Sequence, residues 1–351
     1  MTKSAFHSLA DPTLSDCTRT ELAAWLEREL FSPAHALPLF KRLQFNRQTP
    51  IAQWHDLPAR LRRWVQERGE LPLPTVAREA ASADGLTWKF ALRLSDGAVI
   101  ETVRMLHRER VTACVSSQVG CPLACVFCAT GQAGFTRNLT TAEIVAQAHF
   151  VRAIAGNMPP LKNIVLMGMG EPLLNYDAVL RAVEILCDPA GLALGGKQVT
   201  LSTVGVIPGI VRLADERRPV SLAVSLHAAD QDERAALVPL AKSQPLPDLM
   251  DACRYYVTQT GRKIFFEWTL IAGRNDSPQQ ARQLAELVRG LECQVNLIPL
   301  NPTEGYAGLP GNRSALDRFR AELQAHGVPV SIRQRRGIDV AAGCGQLAGA
   351  E

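Results

Sequence analysis

A chain of 351 residues, 47% of them hydrophobic and 21% charged, carries enough apolar material for one large core or two to three smaller domains. Its 38 basic and 34 acidic residues leave a net charge of +4, too small for a whole surface devoted to nucleic acid, so any such contact must come from local patches. Nine cysteines, an odd count with one tight cluster, argue against a disulfide framework and for metal or redox chemistry in a reducing compartment. No run reaches the roughly 18 apolar residues of a membrane span, and residues 1–6 lack the apolar run of a signal peptide; the expected location is the cytoplasm, without membrane contact.

In chain order, residues 19–30 and 57–68 place apolar side chains at helical spacing between proline-containing links, which predicts a helical unit over residues 1–72. Residues 73–106 alternate polar with apolar positions around the turn at 95–97, the pattern of a β-hairpin. From residue 111 short β-branched runs alternate with longer helical patterns. Strands are expected at 111–117, 163–167, 198–203, 220–226, 263–271, 294–299 and 329–333, with helices at 142–154, 176–186, 278–288 and 314–325 among those between them. Thr140 and Glu143 form a capping box in front of the first of these helices. Six βα units over 107–337, followed by a tail at 338–351, predict an α/β fold: a partial (β/α)6 barrel with a helical N-terminal domain and a small β-hairpin extension. An open doubly wound sheet fits the same periodicity, and in either case ligands gather at the carboxyl ends of the strands.

The distinctive residues fall at those ends. Cys121, Cys125 and Cys128 follow the first strand and the run Gly168-Met169-Gly170-Glu171-Pro172 the second; Ser202, then Ser225, Leu226 and His227, then Asn301 close three later ones. Three thiolates from one loop are one fewer than a purely structural site takes, so either a fourth ligand such as Cys114 or His149 completes a zinc site, or a 4Fe-4S cluster keeps one iron open. Read alone, Cys114 is a small core residue, Cys344 a free thiol in a glycine-rich tail, His227 a satisfied buried histidine, and Glu101 an exposed hairpin position. The basic clusters around Arg60, Arg110, Arg217 and Arg335 read as solvated faces, two of which neighbour Cys114 and Cys344 in sequence and make RNA-backbone contact plausible.

The spacing Cys-x3-Cys-x2-Cys resembles that of radical S-adenosylmethionine (SAM) enzymes. The runs "CVSSQVGCPLACVFCATG", "MGMGEPLLN", "LSTVGVIPGI", "SLHA", "NLIPLNP" and "RGIDVAAGCGQLAG" together resemble the RlmN/Cfr family of RNA methyltransferases from about residue 98 onward. The resemblance implies one 4Fe-4S cluster on Cys121, Cys125 and Cys128 with exchangeable SAM, and a SAM site at Gly170, Glu171, Ser202, Ser225, Leu226, His227 and Asn301. It implies Cys344 as methyl carrier, Cys114 as the resolving cysteine with which it ends in a disulfide, and Glu101 as proton acceptor. The implied reaction is methylation of an adenosine ring carbon: carbon 2 in 23S rRNA and also tRNA is the favoured reading, and carbon 8 of the same rRNA base is the alternative. Implied partners are the RNA, gripped partly by the N-terminal helical unit, and an electron donor such as flavodoxin or ferredoxin, with the protein a monomer. The competing readings are another radical SAM reaction and a zinc-stabilised RNA-binding protein without catalysis.

Overall fold

The computed structural model describes residues 13–45, 49–68, 73–156 and 158–349. The signal-peptide reading of residues 1–6 and the helical-unit boundary at residue 72 lie outside them. Helices α1 (Arg19–Arg28), α2 (Ala36–Phe45) and α3 (Ala59–Arg68) form the N-terminal unit. Its core is Leu22, Leu26, Leu39, Phe40, Trp54, Leu61 and Val65, with Trp25 and Phe31 packed edge-on against Trp64. The unit is tied to the rest of the chain by polar contacts as well: Asp16 accepts from the Ala142 amide at 2.7 Å, and Gln44 meets the His149 ring at 2.6 Å.

Four antiparallel strands follow, β1 (Thr75–Ala81), β2 (Thr87–Arg93), β3 (Val99–His107) and β4 (Arg110–Cys114). The sequence pattern gives only a hairpin here. The extra strand β1 is almost wholly exposed, so it has no apolar alternation to betray it; as a sheet edge it is held by backbone pairing, and its Arg78 and Glu79 suit an edge facing water.

Beyond β4 a small antiparallel pair, β5 (Gln118–Gly120) and β6 (Phe135–Asn138), brackets the short helix α4 (Ala129–Gln132). Then come α5 (Thr141–Ala153), β7 (Leu161–Leu166), α6 (Tyr176–Cys187), β8 (Val199–Thr203), α7 (Ile207–Asp215), β9 (Ser221–Ser225), α8 (Gln231–Leu237), α9 (Leu246–Thr260), β10 (Ile264–Leu270), α10 (Pro278–Leu287), β11 (Cys293–Pro299), α11 (Arg313–Ala325) and β12 (Val330–Ile332). Strands β4 and β7 to β12 pair in parallel, each with the next in chain order, within a ten-stranded sheet whose outer strands are β1 and β12. The parallel part is therefore an unclosed barrel with helices packed on it, and its core holds Ile164, Leu201, Leu222, Val224, Phe266, Trp268, Val295 and Leu297.

The local signals act as the chain physics requires. Thr140 accepts from the Glu143 amide and Glu143 returns to the Thr140 amide, starting α5. Ser277 and Gln280 do the same for α10, with Pro278 in its first turn. The first parallel strand ends at Cys114, earlier than residue 117, because Ser116, Ser117 and Gln118 leave the sheet to bind the loop after β7. No helix among the described residues is long and apolar enough to cross a membrane.

Candidate functional site

The cysteine loop is anchored at both ends. Gly120, at φ +76°, passes so close to the Gly134 carbonyl that a side chain could not fit, and the Cys121 amide donates to that carbonyl at 2.7 Å. Arg137 on β6 forks onto Glu143 at 2.8 and 2.9 Å and onto Asp96 at 2.8 Å, pinning the loop's base to the start of α5. Between these anchors Cys121, Cys125 and Cys128 all face one cleft of about 950 Å³, open mouth included. Burial lifts the Cys121 thiol to about 12, and burial together with the neighbouring Cys128 and Cys121 thiols lifts Cys125 further still.

The loop after β7 forms the adjoining wall. Its Met169 amide donates to Ser116 Oγ at 2.9 Å, the Ser117 amide to the Met169 carbonyl at 2.8 Å, and the Glu171 amide to Gln118 Oε1 at 2.8 Å. A Cβ on Gly168 would stand 2.7 Å from the Val115 backbone, and Gly170 holds φ +100° against the Gln118 backbone and side chain. Gly168→Ala should accordingly lower stability by about 1–3 kcal/mol, as overpacking does, and the melting temperature measured with and without SAM checks it. Glu171 is fully buried without a cationic partner among the described residues. It accepts from the Leu173 and Val204 amides at 3.1 and 2.9 Å, and burial lifts its carboxyl from 4.5 to about 7.

Ser202 and Ser225 reach the cleft from β8 and the end of β9, and His227 from just beyond it. His227 sits at φ +61°, a conformation that costs a non-glycine residue, and Asn275 clamps its carbonyl at 2.8 Å. The Thr269 amide donates to His227 Nδ1 at 3.0 Å, which leaves the ring proton on Nε2; burial, with Arg234 nearby, lowers the ring to about 3 and keeps it neutral. Leu226 takes a different place from its neighbours: it is buried in the barrel core and its amide bonds the Glu267 carbonyl at 3.0 Å. Only its backbone lies near the cleft-lining residues.

Asn301 lines the cleft and also donates to the Cys344 carbonyl at 3.0 Å. Cys344 stands where this cleft meets a second cavity, and Cys114 lines only the second, along with Val103, Met105, Arg333, Arg335 and Arg336. Arg333 forks onto the buried Glu267 at 2.6 and 3.1 Å, and its positive charge acts on both thiols. Cys344 is open to solvent at this junction, although the protein around it raises its thiol, partly offset by Arg333. Burial lifts Cys114 to about 12. All nine cysteines are free thiols, so the disulfide that the resemblance gives as the reaction's end state is not present here: the Cys114 and Cys344 sulfurs are not bonded.

Glu101 is not the exposed hairpin residue that its strand pattern suggests. Its carboxylate is buried, paired with Lys89 Nζ at 2.9 Å, and accepts from the Ala348 amide at 2.8 Å. A polar frame behind the cleft has no counterpart among the residues expected from the sequence. Gln147 joins Thr102 and Ser116, and Asn175 donates to the Ser117 and Leu139 carbonyls at 2.8 Å. The one available signal was a polar Ser116-Ser117-Gln118 run directly before a cysteine loop.

A partial parallel barrel with three loop cysteines, a glycine-rich acidic turn and the strand-end residues round one cleft defines a radical SAM protein, and the Radical SAM superfamily model matches residues 115–287. The chain is 53% identical to the probable dual-specificity RNA methyltransferase RlmN 2 of Opitutus terrae, covering 97% of this chain and 88% of that one. It is 50% identical to the dual-specificity RNA methyltransferase RlmN 1 of Myxococcus xanthus, over 95% and 93%. The crystal structure of a radical SAM methyltransferase from Sphaerobacter thermophilus superposes with a TM-score of 0.89 at 44% identity, over 96% of this chain and 99% of that one. The chain belongs to the RlmN family of dual-specificity RNA methyltransferases.

That family implies a 4Fe-4S cluster and SAM, and the donor set fits them. Among the described residues no three His, Cys, Asp or Glu side chains are grouped to hold a single ion. A cube spreads its thiolates over separate irons, so it needs cysteines arranged around a cavity, as these three are. The zinc alternative lacks both fourth ligands considered for it. Cys114 faces the second cavity, and His149 is on α5 against Gln44 and Phe45.

Proposed function

We propose that the protein methylates carbon 2 of an adenosine in 23S rRNA and in tRNA, with Cys344 as the methyl carrier. The observation that carries this reading is the place of Cys344: with Met167, Ile298 and Asn301 it borders both the cleft of the three loop cysteines and the cavity that contains Cys114 and the arginines, and of these four it alone carries a nucleophilic thiol. A methyl group on an electrophilic donor and a poorly nucleophilic ring carbon have no good direct polar route, so a thiol that visits both spaces can serve as an intermediate carrier.

Cys121, Cys125 and Cys128 are assigned to the cluster, and Gly170, Glu171, Ser202, Ser225, the Leu226 backbone, His227 and Asn301 to SAM. When bound, the cluster with SAM supplies one-electron chemistry that a protein side chain cannot. The chain's own residues do the rest. The Cys344 thiolate takes the methyl carbon of SAM, forming an S–C bond as the sulfonium S–C bond breaks with its electron pair. Asn301 holds the Cys344 backbone through that step, and neutral His227 offers Nε2–H as a donor in the cleft. Glu101 takes the proton lost from the base. The Cys114 thiolate then attacks the Cys344 sulfur, forming an S–S bond as the S–C bond to the base-linked carbon breaks with its electron pair on carbon, which takes up a proton. Arg333, Arg335 and Arg336 face the incoming phosphates.

Glu171, without a counter-ion, is suited to the SAM ammonium. Since burial holds it near 7 in the free protein, SAM binding must ionise it, and affinity should fall about tenfold per pH unit below 7. The same raised value stabilises the SAM-free fold below about 4.5, and that contribution is lost as the pH rises to 7. Calorimetric titration with SAM across this range checks both the affinity trend and the proton released; a flat profile removes the assignment. The activity is tested by mass spectrometry of 23S rRNA and tRNA after incubation with anaerobically reconstituted protein and SAM. Methyl on carbon 2 is the expected product, and carbon 8 or none overturns the reading.

A further inference from the structure

The segment that carries Cys344 is docked by bonds from three directions. The Ala129 amide, next to Cys128, donates to the Gly345 carbonyl at 2.8 Å, and Thr130 Oγ1 to the Leu347 carbonyl at 2.5 Å. Gln346 reaches the Pro302 carbonyl at 3.0 Å. The third direction differs in kind. There the Ala348 amide donates to Glu101 Oε2 at 2.8 Å, a buried carboxylate whose other oxygen is held by Lys89 Nζ at 2.9 Å.

Lys89 and Glu101 belong to neighbouring strands: Ala91 lies opposite Glu101 in the β2–β3 register, and Lys89 is its diagonal neighbour on the same face. Along β3, Glu101, Val103 and Met105 share one face, because side chains alternate. Val103 and Met105 line the second cavity, as does Leu347 of the tail, whereas Glu101 lies at the end of that row under Ala348. Docking the tail and opening Glu101 to the cavity are therefore alternatives.

We propose that the buried Lys89–Glu101 pair is a latch that docks the segment 343–349, and that Glu101 opens onto the second cavity only when this segment lifts. Lys89 is a positioning residue acting through Glu101, and the latch's partner is the chain's own tail. A charge-assisted bond to a buried carboxylate is about twice as strong as any one of the neutral bonds elsewhere along the segment, so weakening it should loosen the tail more than loss of any one of those would. The proposal rests on the carrier reading only for its catalytic consequence: Cys344 is presented while the latch is closed, and Glu101 works while it is open.

Amide hydrogen exchange of the full-length protein, measured without SAM, tests the latch. Lys89→Met should speed exchange of the amides in 343–349 by about tenfold or more, Ala348→Pro should do the same for the amides that remain, and Lys89→Arg should stay near the parent. Exchange in α9, remote from the tail, should not change. Unchanged tail exchange in both Lys89→Met and Ala348→Pro overturns the proposal, as does loosening in Lys89→Met that spreads equally to α9 while Ala348→Pro stays at the parent's rate. Failure of the carrier reading is seen separately, as a parent protein whose Cys344 gains no methyl group by intact mass after incubation with SAM; it leaves the exchange result untouched.

Discussion

Replacing Cys344 by alanine should abolish methyl transfer to RNA, by about a thousandfold or more, equivalent to roughly 4 kcal/mol of lost transition-state stabilisation. Reductive cleavage of SAM should persist in the same protein, because Cys121, Cys125, Cys128, Glu171, Ser202, Ser225 and His227 all remain round the cleft. The two activities separate only if Cys344 carries the methyl group rather than helping to form the SAM site. Protein freed of bound RNA, assayed for methyl transfer and for 5′-deoxyadenosine release, makes the comparison, and undiminished methyl transfer ends the carrier mechanism. Fold effects should be small, since Cys344 is solvent-open and its segment is held largely through backbone carbonyls and Leu347.

The second large effect is expected at Cys125. It is the most buried of the three loop thiols, at 7% exposure, and packs with Leu237 and Val238 of the α8 end, where the Val126 amide bonds the Leu237 carbonyl at 3.1 Å. Cys125→Ser preserves this packing almost atom for atom while replacing a thiolate ligand by a poor one. Iron should fall from about four per chain to near zero after anaerobic reconstitution, with the far-ultraviolet circular dichroism unchanged. SAM cleavage and methyl transfer should both vanish, in contrast to Cys344→Ala. Full iron content in Cys125→Ser would remove this residue from the ligand set. Zinc in the parent protein, without iron-sulfur absorption, would end the radical reading altogether.

The basis of these predictions was unevenly visible in the sequence. The three cysteines, the turn at 168–172 and His227 could be placed on one rim because strand and helix periods fix where each βα unit ends, and parallel units put those ends on the same side. Leu226 shows the limit of that logic. It is adjacent to two cleft residues, yet a strand end alternates its side chains, and this one belongs to the core. The strand β1 was invisible because an exposed edge needs no apolar pattern, and the frame of Ser116, Gln147 and Asn175 because polar residues disclose no partner until the chain is folded.

The sequence by itself determined the barrel's repeating units, the helix caps at Thr140 and Ser277, the loop that gathers three thiols, and the glycines without which the turn at 168–172 cannot pass Val115 and Gln118. These depend on neighbours a few residues apart, whose geometry short-range sterics and hydrogen bonding dictate. Only the tertiary structure decided the fates of Glu101, Cys114 and Cys344. Glu101 meets Ala348 across 247 positions of chain and Arg333 reaches Glu267 across 66. Whether a carboxylate on an alternating strand faces water or a buried lysine, and whether a tail thiol hangs free or stands between two cavities, is set by which distant surfaces cover it. Desolvation and charge pairing follow from that covering, and no local pattern encodes them.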